Sequence, residues 1–377
     1  MEGILINVSP LVEVLGKIPD NRGKRGKRYS LVSILSLACL AMMCGYKSNA
    51  AIAEWGINYR DYTKMLGFKR RTPCAATIHN VFSEIDQNIL ETELGKWAEE
   101  IMQKMAEKNP DTPGINAITI DGKTLKGALK QRAELPHLLS AIGQVLGITI
   151  TQHAVASALD EQTGIIEVLK NLSLNGRIVT ADALHTHRNI AQIVIEKEGD
   201  YILPVKANQP QLLEDIQTVF AENDNFPTAQ TTDCAHGRLE QRTIRTSTVL
   251  NGYCNWPGLS QVFSITRSRT EKKTGESSLE VVYGITSLSP ARAPADILLQ
   301  LVRQHWHIEN KSHWVRDVTF DEDRSQIRSG STPQIMAAIR NTIISLFRIS
   351  GIENIASGCR NFAANPLNAI KLLGLKS

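Results

Sequence analysis

The chain has 377 residues, of which 42% are hydrophobic and 21% charged, as in an ordinary globular protein with two or three folded units. The formal net charge of +4 at pH 7 permits an anionic partner but does not require one. The longest apolar stretch, residues 31–44, is shorter than the roughly 20 residues that span a bilayer. The N-terminus also lacks a secretory pattern, so we expect a cytoplasmic protein without membrane contact.

The cysteine pattern supports the same compartment. The six cysteines show neither a CxxC pair nor the spacing of a zinc finger. Cys39 and Cys44 lie within an apolar helical stretch and are interpreted as core thiols. Such usage is typical of a protein in a reducing cytoplasm.

Basic residues are concentrated in two short segments of the N-terminal third. The first is a glycine-rich run at residues 22–28, and the second contains Lys69, Arg70 and Arg71. Runs of this kind are usually solvated surface loops. A polyanion would use the same charges, and the sequence leaves both interpretations open.

Residues 1 to about 108 are predicted to be helical. Apolar side chains recur at the three-and-four spacing of an amphipathic helix at Leu31, Ile34, Leu35, Ala38 and Met42. Ser48 and Asp86 each precede a further helical stretch in the manner of an N-cap, and Thr77 begins another. The turn-forming residues at 109–114 indicate the first domain boundary.

From residue 115 the pattern changes to strands. Strands are predicted at 117–120, 137–142, 148–154, 178–182 and 201–205, with helices at 158–171 and 187–198. Between 207 and 290 the polarity alternates with period two, which indicates a mostly β insertion. Helices are predicted again at 294–311, 333–347 and 366–373.

Two of the short apolar strands end in an acid. Asp121 follows the run 117–120, and Asp182 follows 178–181. A carboxylate at the end of a buried strand is costly unless it is paired or holds a metal ion. The alternative for the first acid is that Asp121-Gly122 forms a type I′ hairpin turn, for which Asp-Gly is a favoured pair. The recurrence of the arrangement at Asp182 favours a functional role for both acids.

A third carboxylate, Glu309, lies within the predicted helical stretch HWHIENKSHW. Three carboxylates from separate elements are the oxygen ligands that a pair of Mg²⁺ or Mn²⁺ ions requires. Two such ions about 3.5–4 Å apart activate a water or a 3′-hydroxyl and stabilise the leaving oxygen of an in-line phosphoryl transfer. They would also offset the mutual repulsion of the carboxylates. We therefore predict a two-metal site formed by Asp121, Asp182 and Glu309.

Zinc is an alternative metal at this position. His305, Glu309 and His313 lie four residues apart on one face of the predicted helix, and His185 and His187 are a second histidine pair. A zinc hydrolase needs a third ligand and a base at defined spacing. Neither is recognisable in the sequence.

A second acidic group follows shortly after Glu309. Its members are Asp317, Asp321, Glu322 and Asp323. The simplest interpretation is a loop paired with neighbouring arginines, and Glu322 is the reserve candidate for the third carboxylate. Trp306 and Trp314, nearby, are interpreted as core residues.

Several motifs resemble those of one bacterial family. They are IDGKTLKG at 120–127, HLLSA at 137–141, VTADALHTHRNIA at 179–191, GDYILPVKANQP at 199–210, HGRLEQR at 236–242 and HWHIENKSHWVRDVTFDEDRSQIR at 305–328. With the N-terminal helical part, which includes PDNRGKRGKRYSL at 19–31, they cover nearly the whole chain. The sequence resembles the insertion-sequence transposases of the H-repeat-associated group, within the DDE superfamily.

The resemblance implies an α/β fold, with a ribonuclease-H-like mixed sheet, a β-rich insertion and a preceding all-helical N-terminal domain. In such a core the acids stand on the first strand, the fourth strand and a later helix, which corresponds to Asp121, Asp182 and Glu309. The gap between the last two is 309 − 182 = 127 residues, and the β insertion accounts for its length. The implied segments are a DNA-end-binding domain at 1–110, catalytic-core parts at 115–206 and 291–377, and the insertion at 207–290.

The phosphate-gripping positions depart from the family pattern. Related transposases often place Tyr, Arg and Lys seven before, four before and seven after the glutamate, where this chain has Val302, His305 and Arg316. Only Arg316 keeps the charge type, and His305 or Arg303 would have to substitute for the others. Further candidate DNA contacts follow because phosphate neutralisation dominates DNA affinity. They are Lys123, Lys126, Lys206, His236, Arg238 and Arg242.

The function that the resemblance implies is metal-dependent cleavage of insertion-sequence ends followed by strand transfer into target DNA. The partners would be double-stranded DNA, as terminal repeats and as target, and a second copy of the chain in a synaptic homodimer. The protein would be nucleoid-associated when acting. The alternative from a different class is a transposon-derived DNA-binding protein without catalysis. The presence of all three acids favours the enzyme.

Overall fold

The computed structural model describes residues 8–23, 27–124, 137–155, 161–222, 225–235, 237–306, 308–328 and 330–375. The chain forms two compact units. The first unit comprises Met1–Pro110, Gly122–Glu161 and Ile308–Ser377, and the second comprises Asp111–Asp121 and Gln162–His307. The division of the sequence into four domain segments stays a prediction.

The described elements are those of a mixed α/β protein. The helices are α1 (Leu11–Gly16), α2 (Leu31–Met43), α3 (Asn49–Asn58), α4 (Arg60–Met65), α5 (Ala75–Glu84), α6 (Gln87–Lys108), α7 (Glu161–Asn171), α8 (Arg188–Glu196), α9 (Pro210–Glu222), α10 (Ala295–His305), α11 (Thr332–Ile349), α12 (Ile355–Ala364) and α13 (Pro366–Leu373). The strands are β1 (Ala117–Thr124), β2 (His137–Gly143), β3 (Thr149–Val155), β4 (Ile178–Ala181), β5 (Asp200–Val205), β6 (Thr228–Ala235), β7 (Arg238–Ser247), β8 (Gln261–Glu271) and β9 (Ser277–Thr286). None of the helices in the described ranges is long and apolar enough to cross a membrane.

The N-terminal helices begin where the sequence supplies caps. The Ser48 hydroxyl accepts a hydrogen bond from the Ala51 amide at the start of α3. The Asp86 carboxylate accepts from the Asn88 and Ile89 amides at the start of α6. These side chains satisfy donors that the first turn of a helix leaves without intrahelical partners. The predicted helical character of the N-terminal region is confirmed.

The core of the first unit is organised around α11. All of α11 except Arg348 is buried, and the helix packs against α2, α6 and β3. Its neighbour α2 is also enclosed by other helices, and a helix in such a position can be apolar around its whole circumference. Cys39 and Cys44 are buried free thiols in this core, as predicted.

A buried polar network joins α6, β3 and α11. Gln152 Nε2 donates to Glu91 Oε1 at 2.8 Å and to the Gln334 carbonyl oxygen at 3.3 Å. Asn341 Nδ2 donates to Gln152 Oε1 at 3.0 Å. Burial raises the pKa of Glu91 to about 7, because it disfavours the charged carboxylate more than the hydrogen bonds favour it.

The second unit contains a mixed sheet with the strand order β1-β4-β5-β9-β8-β7-β6. β1, β4 and β5 are parallel to one another. β5 pairs antiparallel with β9, and β9, β8, β7 and β6 follow as an antiparallel meander. The predicted β insertion therefore extends the same sheet instead of forming a separate one.

α10 packs on this sheet through a leucine-rich face. Leu298, Leu299 and Leu301 are at most 1% exposed. They belong to one buried cluster with Ala117 of β1 and Ile202 of β5. Because full burial of a leucine contributes roughly 1.5–3 kcal/mol, this cluster holds α10 firmly against the parallel strands.

The hairpin-turn alternative for Asp121-Gly122 is wrong. Both residues lie inside β1, which continues to Thr124. The glycine is explained by crowding, because a Cβ at Gly122 would overlap Nε2 of His137. The His137 ring is itself held by Thr124 Oγ1 at 2.9 Å and by Glu161 Oε1 at 2.6 Å.

Two elements inside the β insertion were missed. Residues 210–222 form α9, and Thr228–Ala235 forms β6. Leu212, Ile216 and Phe220 recur at four-residue spacing and are buried, which is the signal that identifies α9. β6 lacks a comparable signal, because its residues are exposed or half-buried along its whole length.

The helix predicted at 294–311 ends early. α10 stops at His305, and the segments Glu309–His313 and Val315–Thr319 are π-helical. His305, Glu309 and His313 therefore do not share one α-helical face, and the zinc alternative loses its geometric basis. Trp306 and Trp314 are 50% and 56% exposed, so the prediction that they belong to the core is wrong.

The buried Glu91 carboxyl should make the stability of the first unit depend on pH. Its pKa in the folded chain, about 7, lies above the ordinary value of 4.5. Between these two pH values the folded chain keeps a proton that the unfolded chain has lost, so the stability falls as pH rises. Glu91→Gln keeps the shape and removes the titration. The variant should be more stable than wild type at pH 8, on the order of 2 kcal/mol, with a smaller difference at pH 5.

Urea unfolding at several pH values measures this difference. Glu107→Gln is the matched control, because it removes an exposed carboxylate from the same helix, α6. A stability difference for Glu91→Gln that is constant from pH 5 to pH 8 would contradict the proposed titration.

Candidate functional site

Asp121 and Asp182 occupy neighbouring positions at the carboxyl edge of the parallel strands. In the β1–β4 ladder, Ile120 is paired with Ala181, and the two acids are the next residues in the chain, Asp121 within β1 and Asp182 directly after β4. Adjacent strands lie about 4.8 Å apart, so the two carboxylates start from adjacent points of the backbone. The structure thus brings these two predicted site residues together, within the second unit.

The position of the acids follows from the apolar runs that precede them. Ala117 to Ile120 are buried, as are Val179 to Ala181. Burial relaxes where the pairing of β1 with β4 ends, so Asp121 is half-buried and the Asp182 side chain is 51% exposed. A carboxylate placed there keeps access to water and to ligands.

A chain of buried hydrogen bonds fixes the strands beneath the acids. The hydroxyl oxygens of Thr119 and Thr180 lie 3.0 Å apart, and Thr180 Oγ1 lies 2.9 Å from His305 Nδ1. Burial lowers the pKa of His305 to about 4, against the opposing effect of Asp182. His305 is therefore neutral at neutral pH and ties α10 to β1 and β4 without adding charge.

The edge also carries a lysine from the third parallel strand. Lys206 follows β5, and its Nζ lies 4.0 Å from Asp182 Oδ1, with both side chains more than half exposed. The same Asp182 oxygen accepts a hydrogen bond from the Ala183 amide at 2.6 Å. An exposed ion pair at this distance is weak, so Lys206 remains available to an anion.

Glu309 belongs to the first unit. It is exposed and is the first residue of the π-helical segment Glu309–His313. A π-helical turn is rare and occurs frequently at functional sites. Among the residues that the structure describes, no three His, Cys, Asp or Glu side chains form a group that could hold a metal ion.

Glu322 is held in a buried ion triad. Its Oε2 lies 2.7 Å from Arg316 Nη2, and its Oε1 lies 2.9 Å from Arg340 Nη1. The three residues are between 0% and 3% exposed. Burial raises the pKa of Glu322, but the two guanidinium groups lower it by more, so the pKa lies below the ordinary value. Glu322 is thus committed to structure, which removes the reserve candidate for the third carboxylate.

The triad also corrects the prediction for Arg316. Its guanidinium is fully buried against Glu322 and does not reach a surface where a phosphate could bind. His305, at 9% exposure, is likewise a structural residue bonded to Thr180. The predicted phosphate contacts at these two positions are not available in this structure.

Lys123 is a buried ion-pair partner as well. Its Nζ lies 2.6 Å from both carboxylate oxygens of Asp317 and 4.0 Å from Asp323 Oδ1, and the residue is 8% exposed. The acidic group after Glu309 is therefore a structural cluster paired with basic residues, as predicted. Lys123 itself is not a free phosphate contact.

The basic residues of the β meander form a charge network. Arg242 binds Asp233 at 2.9 Å and Glu240 at 2.8 Å, and Arg303 binds Asp233 at 2.8 Å. Burial lowers the pKa of Arg242. Arg238 is 59% exposed and lies 3.4 Å from Glu271, so it is the most accessible of these cations. The predicted contacts Lys126 and His236 lie outside the described residues.

The donor set at the strand edge fits a hard divalent cation. Two adjacent, water-accessible carboxylates are the ligands by which proteins commonly hold Mg²⁺, which keeps several waters. The exposed Lys206 is the competing cation for Asp182, and its separation of 4.0 Å makes it easy to displace. Asp121 and Asp182 are the described residues that could hold such an ion.

The functional residues that sequence analysis missed are the hydroxyls beneath the acids. Thr119 and Thr180 stand two residues before Asp121 and Asp182, in otherwise apolar runs. Two threonines at the same offset from two acids are a recognisable pattern. It became informative only when the register of β1 and β4 placed them opposite each other.

Comparison with protein families gives two matches along the chain. Residues 114–346 match the family model described as Transposase DDE domain. Residues 12–98 match the model described as DDE_Tnp_1-associated.

Curated relatives are similar over most of their length. The chain is 30% identical to "Putative transposase YncI" of Escherichia coli O157:H7, which covers 91% of this chain and 88% of that protein. It is 28% identical to "H repeat-associated putative transposase YhhI" of Escherichia coli strain K12, which covers 90% of this chain and 91% of that protein. A solved structure titled as a piggyBac transposase synaptic complex with hairpin DNA matches 97% of this chain and 77% of that chain, with a TM-score of 0.44 and 11% identity.

Removing Glu322 should destabilise the first unit strongly. Glu322→Ala leaves two buried guanidinium groups without their shared carboxylate, and breaking a buried pair in this way costs about 3–5 kcal/mol. Because the folded pKa of Glu322 lies below 4.5, wild type should lose the same contribution as pH falls below about 4.5. Urea unfolding measures both effects.

The adjacent Asp321→Asn is the control for this substitution. Asp321 is 47% exposed and lies 3.8 Å from Arg324, and asparagine tolerates its left-handed backbone, with φ of 54°. Equal stability of Glu322→Ala and Asp321→Asn would show that the triad does not stabilise the fold.

Proposed function

This chain belongs to the transposase DDE domain family, and from that membership we propose that it is an active DDE transposase. It would cleave DNA at the ends of an insertion sequence and join the freed ends to target DNA. The observation that supports the proposal is the pairing of β1 with β4, in which Ile120 and Ala181, the residues directly before Asp121 and Asp182, are opposite each other. The parallel order β1-β4-β5 is consistent with a ribonuclease-H-like core.

Asp121 and Asp182 would hold Mg²⁺ or Mn²⁺ together with Glu309. Divalent cations, when bound, supply the positive charge that activates the attacking hydroxyl and stabilises the leaving oxygen in phosphoryl transfer. Glu309 is proposed as the third carboxylate from its position in the sequence motif. Its exposure and its place at the start of a π-helical segment support the choice.

The other residues of the edge would hold and orient these groups. Thr119, Thr180 and His305 keep β1, β4 and α10 in fixed positions through neutral hydrogen bonds. Lys206 can leave its weak contact with Asp182 and neutralise a DNA phosphate. The nucleophile would be water at the transposon end and then the freed 3′-hydroxyl at the target.

The DNA contacts proposed outside the strand edge are fewer than the sequence indicated. Arg238 of β7 remains a candidate because it is exposed, and it would contact flanking DNA along the β meander. Arg242 and Arg303 would act through the network that orients this meander, since both are held by Asp233. We further propose that two copies of the chain act together in a synaptic complex, in the cytoplasm and on the nucleoid.

The decisive test is DNA cleavage by carboxylate variants. Asp121→Asn and Asp182→Asn should each reduce nicking of DNA that carries the element ends by at least about 100-fold, because each removes one charged oxygen ligand. DNA binding in the absence of metal should be nearly unchanged. The assay uses purified protein, DNA taken from the sequence flanking the gene, and Mg²⁺ or Mn²⁺ compared with EDTA.

Glu214→Gln is the matched control, because it neutralises an exposed carboxylate on α9 of the same unit. It should cleave at the wild-type rate. Glu309→Gln tests the third carboxylate separately and should behave like the two aspartate variants. If wild type binds the DNA but does not cleave it with either metal, the protein is a DNA-binding protein without catalysis.

A further inference from the structure

The N-terminal part of the first unit carries a strongly basic groove. It has a volume of about 680 Å³ and is lined by α4 and the loop that follows it. We call it the α4 groove. Its charged lining residues are all exposed, and they are five cations with one acid: Arg60, Lys64, Lys69, Arg70, Arg71 and Asp61.

Most of these cations have no counter-charge among the residues that the structure describes. Asp61 is paired with Lys64, whose Nζ lies 2.8 Å from Asp61 Oδ1. Within the described ranges, no carboxylate lies within 4 Å of the other four cations, which are Arg60, Lys69, Arg70 and Arg71. A concave surface with four such cations concentrates positive potential and attracts a polyanion.

The end of the first basic segment lies beside the α4 groove. Tyr29 stands at the end of the glycine-rich basic run, and its hydroxyl donates to the Thr72 carbonyl oxygen at 3.4 Å. Its ring meets that of Phe68 edge-on, with centroids 5.6 Å apart. Arg28, which is exposed, lies over the Tyr29 ring at 5.7 Å. Because Phe68 and Thr72 line the groove, these contacts place Arg28 beside it, about 40 residues away in sequence from the cations at 69–71.

We propose that the α4 groove binds the phosphate backbone of duplex DNA and does not read its bases. The inference rests on the proposed function for its partner and goes beyond it by naming the surface and the mode of contact. Lysine and arginine side chains on a loop are suited to phosphates, whose contacts position a protein without sequence information. α4 has six residues and is therefore only about 9 Å long, too short to follow the bases along a major groove.

The contribution of the groove is measurable from the salt dependence of binding. Each phosphate that is neutralised releases counterions, and log K falls with log[salt] by about 0.9 per phosphate contact on B-DNA. Four substitutions, Arg60→Ala, Lys69→Ala, Arg70→Ala and Arg71→Ala, should together reduce this slope by about 2 to 4. Affinity at about 0.1 M salt should fall at least roughly tenfold.

The measurement uses fluorescence anisotropy with the full chain and a labelled duplex of about 30 base pairs, titrated in EDTA at several salt concentrations. Two duplexes of unrelated sequence are compared, one rich in A·T and one rich in G·C. The slope should fall equally on both. A loss confined to one duplex would overturn the backbone mode and indicate base reading.

A matched variant with the same change in charge controls for long-range electrostatics. Lys17→Ala, Lys96→Ala, Arg360→Ala and Lys371→Ala remove four exposed cations of the first unit that lie outside the groove. The control should change the slope by less than about 1. Equal slopes for the two quadruple variants would overturn the proposal, as would a wild type that does not bind either duplex. Circular dichroism and thermal melting establish that both variants are folded.

The failure of this inference is distinguishable from failure of the proposed function. Binding in EDTA does not depend on metal ions or on the strand-edge carboxylates. A protein that cleaves DNA through Asp121 while its groove variant keeps the full salt slope disproves the groove alone. A protein that binds through the groove without metal-dependent cleavage disproves the catalytic proposal alone.

Discussion

The pairing of β1 with β4 is the constraint on which the candidate site depends. The paired segments of these strands, 117–120 and 178–181, are short and largely apolar, and their only polar side chains are two threonine hydroxyls. Because buried hydroxyls need partners, Thr119 bonds to Thr180 and Thr180 bonds to His305, which favours one register of the strands. A shift of register by one residue would separate the hydroxyls and move Asp182 away from Asp121. The same contacts that complete the core therefore align the acids.

Much of this arrangement is predictable from local sequence. The apolar runs before Asp121 and Asp182 predicted both strands, and the caps at Ser48 and Asp86 predicted helix starts, because each depends on residues within one turn or one strand. The π-helical segment at Glu309 was missed, since its sequence has ordinary helical periodicity. The hairpin turn at Asp121-Gly122 was a reasonable alternative locally. It is excluded because β1 continues through both residues to Thr124, and the glycine is explained by the ring of His137, fifteen residues later in the sequence.

Charges were the least predictable feature, because a cation in a sequence does not reveal its partner. Lys123, Arg242 and Arg316 look like surface phosphate contacts beside a carboxylate cluster, yet each is held by carboxylates and largely buried. Arg316 shares Glu322 with Arg340, which comes from a different helix. Such pairs form only when the fold brings distant residues together. Four cations of the α4 groove, by contrast, have no carboxylate within 4 Å among the residues that the structure describes, and the sequence alone did not distinguish them from the paired ones.

At the carboxyl ends of β1 and β4, the side chains that hold the fold are neutral, and the side chains that would exchange ligands are charged. The hydrogen bonds below the acids involve hydroxyls and a histidine whose pKa is about 4, so this layer stays uncharged through the neutral range. Above it, Asp182 is half exposed, and its cationic partner within the described ranges is Lys206 at 4.0 Å. An exposed pair of this kind contributes roughly 0–1 kcal/mol, so displacing Lys206 from Asp182 costs the fold little. Under the proposed function, the lysine would neutralise a phosphate while the carboxylates take a cation, and the layer of threonines would keep both acids in place.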